Sequence, residues 1–379
     1  MKGSQAITVA NASSFSVPTF AEIQQTNDPA VMYTNPGWDA SWAQDAVGEI
    51  IRVVGKSGNQ LILEEPLHFS YDPAMNPRVR TQGFIEWVGV EDLYIERLDT
   101  RDANTILFKN VSYAWVRGVE SAWTYRSHVY AETVYRGEFR GSYFHNAHDY
   151  GSGVHGYGLK MARHTTSCLI EDNIFVSLRH SMMVQLGANG NVFGYNYSRE
   201  PKDPGGYIQA DVSFHGHYPF YNLVEGNVVQ HIAVTDWWGP GGPDNDLLRN
   251  CVQLDGIQLD DYSHGVDVVG NYLKPGNILD IEWTVQDAFV HGNLIGGQVL
   301  WDSGTPQTIP DSLYLSQKPG FFGSSSWPSI GGGDLGPVCT NPAFERWNSG
   351  DATPAPTNGE VIFLDDLESG DLGAWVAVM

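Results

Sequence analysis

The sequence predicts an all-β chain wound as a right-handed parallel β-helix, a solenoid with three short strands in each coil. Two observations carry the prediction. A short phrase recurs along the chain: apolar, any, apolar, any, Gly or polar, Asn, then two or three apolar or aromatic residues. Its copies are spaced mostly by 22 or 23 residues, the length that three strands and three turns require.

The phrase is clearest as LIEDNIF (169–175), VFGYNY (192–197), LVEGNVV (223–229), VDVVGNYL (266–273) and FVHGNLI (289–295), with weaker copies at 93–98, 114–119 and 137–144. Aligned on the Asn column, Arg97, Val119, Ser142, Asn173, Asn196, Asn227, Asn271 and Asn293 fall in register at intervals of 22, 23, 31, 23, 31, 44 and 22. Each interval of 31 reads as one coil plus an insertion, and 44 as a coil with an insertion or as two whole coils. An Asn at one place in five coils is a structural device, because its short amide bonds the backbone of a tight turn and stacks on the next. The period-two alternation, cut every few residues by Gly and Asn, excludes bundles and coiled coils.

Residues 47–54 and 60–63 flank Gly-Lys-Ser-Gly-Asn and read as a hairpin. Residues 7–24 are expected to form a similar β unit that caps the open N-terminal end of the solenoid, whose edge would otherwise invite aggregation. Beyond Trp301 the pattern dissolves into Gly, Ser and Pro, so the tail is expected to wrap irregularly on the coils. The boundaries are therefore 1–88 for the N-terminal hairpin and cap, 89–302 for the β-helix with its loops, and 303–379 for the irregular C-terminal segment.

The chain has 379 residues, 42 of them Gly, with 17% charged residues and a formal net charge of −23. That charge argues against nucleic acid or an anionic membrane as partner. No cofactor is required by the sequence, and calcium is the ion that an acidic extracellular chain would accommodate. No stretch approaches the roughly 20 apolar residues of a membrane span. The three cysteines, Cys168, Cys251 and Cys339, allow one disulfide at most and leave one thiol over. Oligomeric state is left open.

Insertions that follow the Asn turn should stack on one wall: 145–157 (HNAHDYGSGVHGY), 198–207, and 235–246 (TDWWGPGGPDND). Strands between them bring Lys160, Gln185 and Asp211 to one face. Asp211 is the first candidate for a catalytic carboxylate. Asp236 is the second, beside Trp237 and Trp238, whose faces could stack on sugar rings. Glu225 is a third, although it matches the position of Glu171 in another coil. His215 and His217 alternate about a Gly and would point the same way on a strand, toward a metal or a substrate carboxylate. Lys160, His180 and Arg179 could instead neutralise a uronate carboxylate and take its C5 proton. Tyr157 and Tyr218 complete the substrate-binding candidates.

Several runs resemble secreted bacterial proteins of the pectate-lyase-like superfamily: Gly-Val-Glu-Asp-Leu-Tyr-Ile-Glu (89–96), Leu-Arg-His-Ser-Met-Met-Val-Gln (178–185), Gly-Ala-Asn-Gly-Asn-Val (187–192), His-Gly-His-Tyr-Pro (215–219), Asp-Trp-Trp-Gly-Pro (236–240) and Leu-Tyr-Leu-Ser-Gln-Lys-Pro (313–319). The resemblance covers about residues 45–330. It implies a protein that cleaves or binds polysaccharide outside the cell. No catalytic signature of the superfamily transfers: Asp260-Asp261 and His264-Gly265 lie too close together for the polygalacturonase pattern, whose first element is missing. The expectation is an extracellular polysaccharide-degrading enzyme, favoured as a glycoside hydrolase with paired carboxylates. The alternatives are a uronate lyase and a non-catalytic glycan-binding adhesin.

Overall fold

The computed structural model describes residues 1–202, 209–235, 237–333 and 335–352. Three parallel faces run the length of a solenoid. Face one has nine strands, from Gly89–Glu91 through Trp115–Arg117, Glu138–Arg140, Leu169–Glu171, Val192–Gly194, Leu223–Glu225, Asn245–Leu248 and Val266–Val269 to Phe289–His291. Face two climbs from Tyr94–Glu96 through Tyr143–Ala147 and Ile174–Val176 to Asn293–Ile295. Face three climbs from Ile106–Ser112 through Ser127–Tyr135, Tyr157–Ala162, His180–Gln185 and Val212–Phe214 to Leu279–Ile281.

The strands of face one are short, and the middle residue of each points inward. Val116, Phe139, Ile170, Phe193, Val224, Leu247 and Val268 thus form one buried column, each in register on the last. Each such side chain contributes about 2 kcal/mol of hydrophobic burial. Because every rung repeats this arrangement, the core is continuous from end to end.

The Asn column is a hydrogen-bonded ladder. The backbone N–H of Asn173 donates to Oδ1 of Asn196 at 3.0 Å, and Asn196 repeats the bond to Asn227 at 2.9 Å. Asn227 then meets Asn250, and Asn250 meets Asn271, so the interval of 44 is two whole coils. Ser142 and Val119 occupy the same column below Asn173. Arg97 does not: Leu93 stands in its place, its carbonyl accepting from Glu120 N at 3.0 Å. A second ladder, Asn191, Asn222 and Asn245, runs up the corner before face one.

The N-terminal sheet differs from the expected end cap. Its antiparallel strands Ala6–Thr8, Gln60–Leu63, Gly48–Ser57, Thr19–Gln24 and Arg78–Thr81 include the predicted hairpin. The sheet lies along the flank of the solenoid, at the corner between faces three and one. His164 Nδ1 meets Glu22 at 2.6 Å, Thr166 Oγ1 accepts from Ile50 N at 3.0 Å, and Phe20 and Ile50 pack on Tyr113 and Tyr135. Buried polar partners on successive coils hold it there, and the first coil keeps Trp87, Leu93 and Tyr94 exposed.

The C-terminal segment passes back and forth over the outer side of face one. Leu313 N donates to Glu225 at 2.9 Å, Tyr314 O–H to Glu171 at 2.6 Å, and Arg346 pairs with Asp172 at 2.7 Å. Cys339 is disulfide-bonded to Cys251, and Cys168 is the buried free thiol. Among the described residues, no helix is long and apolar enough to cross a membrane.

Candidate functional site

Face three carries a buried lysine among its outward side chains. Val129, Ala131, Leu159, Met161, Met182, Val184, Val212 and Phe214 face the core, so the residues between them point outward. Tyr130, Lys160, Met183, Ser213, Ala233 and Gln258 accordingly form one outward column, a residue per rung.

Lys160 is 8% exposed, and its ammonium sits over the Tyr130 ring, 5.1 Å from the centroid. Among the described residues no carboxylate lies within ion-pair distance of it, although Glu132 and Arg126 are close enough to act through space. Burial, with a smaller push from Arg126, lowers its ordinary value of 10.5 to about 8. Arg126 itself is paired with Asp102, as surplus acids would have it.

Tyr157 and His180 stand at the starts of their strands on face three, and the ring of His215, which follows the strand Val212–Phe214, gathers with them. Their ring centroids lie 4.9 Å (Tyr157–His180), 5.6 Å (His180–His215) and 6.4 Å (Tyr157–His215) apart. The Tyr157 hydroxyl is 3.5 Å from His215 Nε2. Arg179 lies over the Tyr157 ring and donates to the Gly151 carbonyl at 2.6 Å. None of these four is more than 9% exposed, so a ligand would meet the polar tips of a packed cluster.

At the opposite edge the strands run into an aromatic wall. Trp238 packs edge-on against Trp237 at 4.5 Å and Trp42 at 5.4 Å, and Trp42 meets His217 at 4.6 Å. Trp42 comes from the N-terminal region and carried no repeat or motif signal in the sequence.

Several expected placements need correction. Asp211 is fully buried; its carboxylate accepts from Ser198 Oγ, Gln230 N and His231 N, which makes it a brace for the chain entering face three. Glu225 stands on face one, in the same column as Glu171, under the C-terminal segment, where burial pushes it up to about 7. The two cannot act as a pair. Asp236 and residues 203–207 lie outside the described residues. His215 and His217 do not point the same way: the strand ends at Phe214, and Gly216 (φ 65°), His217 and Tyr218 turn left-handed, sending His215 to Tyr157 and His217 to Trp42. Tyr218 is buried beneath the N-terminal region, its hydroxyl 2.9 Å from His264. The loop at 235–244 joins face three to face one, whereas those at 148–156 and 200–211 join face two to face three. The insertion after Tyr143–Ala147 therefore leaves from the edge where face three begins and the one after Val234 from the edge where it ends, so these two do not leave from one corner. Among the described residues no three His, Cys, Asp or Glu side chains gather in a metal-holding group.

No family model matches the sequence, and no curated protein matches it. Solved structures overlay the solenoid. The tailspike gp61 of Pseudomonas phage phi297 matches over 78% of this chain and 56% of its own, at 12% identity and a TM-score of 0.56. The tailspike protein gp49 from Pseudomonas phage LKA1 matches over 78% and 60%, at 13% identity and a TM-score of 0.48. The gp54 tailspike of Acinetobacter baumannii bacteriophage AP22, solved in complex with capsular saccharide, matches over 78% and 55%, at 11% identity and 0.39. The chain thus spans little more than half the length of these proteins. What the phi297 overlay shows is the shared parallel β-solenoid.

Proposed function

We propose that the chain binds an acidic polysaccharide against face three and cleaves it by β-elimination at a uronate, in preference to hydrolysis by paired carboxylates. The observation that carries this reading is Lys160. In a chain whose arginines and lysines are mostly paired with its many acids, this amine is buried with no carboxylate partner among the described residues. A buried cation left without a counter-ion is costly, and such groups cluster where chemistry is done. Held at about 8, Lys160 is a neutral base in mildly alkaline solution and could take a C5 proton. Arg179 lies where positive charge would steady the neighbouring uronate carboxylate, with His180 and His215 beside it as hydrogen-bonding groups. The Tyr157 hydroxyl is the group to protonate the leaving C4 oxygen.

The global charge of −23 opposes a polyanion only at long range, since exposed charges are screened beyond about 8 Å at physiological salt. The hydrolytic alternative loses support because Asp211 and Glu225 are buried on different faces. The Cys251–Cys339 disulfide supports an oxidising, extracellular setting.

Incubation with polygalacturonate, alginate, hyaluronan and dextran tests the reading, with reducing ends and the ultraviolet absorbance of unsaturated uronates as readouts. Elimination gives both signals on a uronate polymer and neither with Lys160→Met. Reducing ends without absorbance would reinstate hydrolysis, and binding without either signal would leave the adhesin. A chelator control reads out any calcium requirement.

A further inference from the structure

We infer that Trp42 is a specificity-determining residue of this groove, offering a stacking surface to an uncharged sugar next to the acidic one. The inference rests on reading face three as a polysaccharide site, and it adds the substrate's composition: an acidic polymer in which uronates are interleaved with uncharged residues.

Four observations converge on it. First, Trp42 is 46% exposed and Trp237 is 53% exposed, beside a cluster of polar groups that are nearly all buried. Single indoles are exposed elsewhere on the chain, at Trp87, Trp123 and Trp283, but Trp42 and Trp237 belong with Trp238 to one contiguous aromatic patch, and a patch of this kind marks a binding position. Second, the rings are fixed edge to face, at 75° between Trp42 and Trp238 and 81° between Trp42 and His217. This geometry fixes the orientation of the Trp42 ring, whose 46% exposure leaves indole surface for a ligand. Third, the Trp42 backbone is clamped to face three itself. Arg163, which follows the strand Tyr157–Ala162, donates to the carbonyls of Trp42 at 2.7 Å and Gln44 at 3.1 Å. Fourth, the cations that could meet a uronate are placed unevenly. Lys160 and Arg179 belong to the strands and to the edge where they begin, whereas the far edge presents three indoles and an imidazole, with its cation Arg163 engaged by the carbonyls of Trp42 and Gln44 and its carboxylate Asp260 bonded to Gln258. A six-residue strand spans about 20 Å, which is room for a short oligosaccharide to touch both edges.

The consequence is that Trp42 should matter for a mixed polymer and not for a pure polyuronate. Affinity electrophoresis in gels cast with hyaluronan, which alternates a uronate with an uncharged sugar, or with polygalacturonate, which does not, reads this directly. Trp42→Ala is expected to weaken retardation by hyaluronan about tenfold and to leave retardation by polygalacturonate unchanged. Trp42→Phe should recover part of the loss, and Arg163→Ala, which frees the Trp42 backbone, should reproduce it. Thermal melts identify any variant that fails to fold; the remaining variants then carry the comparison. Equal retention by Trp42→Ala on hyaluronan, equal loss on both polymers, or a wild type that prefers polygalacturonate would overturn the inference while leaving the site reading intact. A wild type retarded by neither polymer would remove the site reading, and this inference with it.

Discussion

Faces one and three are built from the same rungs and treat buried charge in opposite ways. On face one the buried groups have partners. Asp172 meets Arg346, Glu171 accepts from Tyr314 and faces Arg140, and Glu225 accepts from Tyr195 and Leu313 N. Asp246, pushed up to about 8 by burial and by Asp267 and Asp244, escapes the need for a partner by holding its proton at neutral pH. On face three Lys160 has an aromatic ring beneath it and no acid within ion-pair distance among the described residues. The contrast separates two uses of a buried ionisable group. Where every bond is satisfied the group fastens one segment to another, and where it is not the group remains available to a ligand.

The largest expected effect breaks the scaffold common to both faces. Asn227 is fully buried; its carbonyl oxygen serves Asn196, and its amide donates to Phe193 O, Glu225 O and Asn250 Oδ1. Asn227→Ala orphans several of these groups at roughly 1–3 kcal/mol apiece, so chemical denaturation should show a loss of about 4 kcal/mol or more. Next comes the fastening of face one. The Cys251–Cys339 bridge closes a separation of 88 residues, and Cys339→Ser should cost about 4 kcal/mol by the chain-entropy estimate while leaving glycan binding intact. A loss of binding in that variant would mean that the two faces are coupled.

A pH series sharpens the contrast further. Burial raises Glu171 and Glu225 from 4.5 to about 7, so the folded chain holds their protons more tightly than the unfolded chain does. Their contribution to stability is complete below about pH 4.5 and is lost as the pH rises through 7, by up to about 3 kcal/mol per group. Melting should therefore weaken between pH 5 and pH 8, and Glu225→Gln should flatten part of that slope. A wild-type curve matching the Gln variant across this window would show that face one does not store protons. The smallest effect belongs to the groove rim. The Arg126–Asp102 pair is solvent-exposed, so Arg126→Ala should change stability by less than about 1 kcal/mol, yet it should move the pH-rate profile upward by relieving Lys160 of a neighbouring positive charge.

The solenoid was legible because its signal repeats. One Asn per coil, with apolar residues alternating before and after it, marks a turn and two strands each time. Arg97 falls outside the column because the first coil has no Asn there, and the second ladder of Asn191, Asn222 and Asn245 is overshadowed in the sequence by the stronger column. The site was less legible, because a repeat gives the order of insertions along the chain and not the corner each one leaves from. The order of insertions alone therefore puts 235–246 on the same wall as 145–157. The strand logic applied to His215 and His217 fails at Gly216, whose left-handed turn parts the two rings. Lys160 is readable as an outward residue between Leu159 and Met161, but its lack of a carboxylate partner among the described residues is a property of the fold. Glu225 carried a visible warning in its match to Glu171, and both prove to be seats for the C-terminal segment. Trp42 reaches the groove from more than a hundred residues away and left no trace in the local pattern.

The central claim is that Lys160 is held for use and not for stability, and the stability of Lys160→Met at two pH values tests it most directly. A lysine lowered from 10.5 to about 8 in the folded chain binds its proton less tightly there, so its charged form works against folding at neutral pH. Replacing it with Met should raise stability at pH 7 by about 3 kcal/mol, with the gain shrinking toward pH 10. A variant that melts lower than wild type at pH 7 would make Lys160 a structural residue and contradict the account.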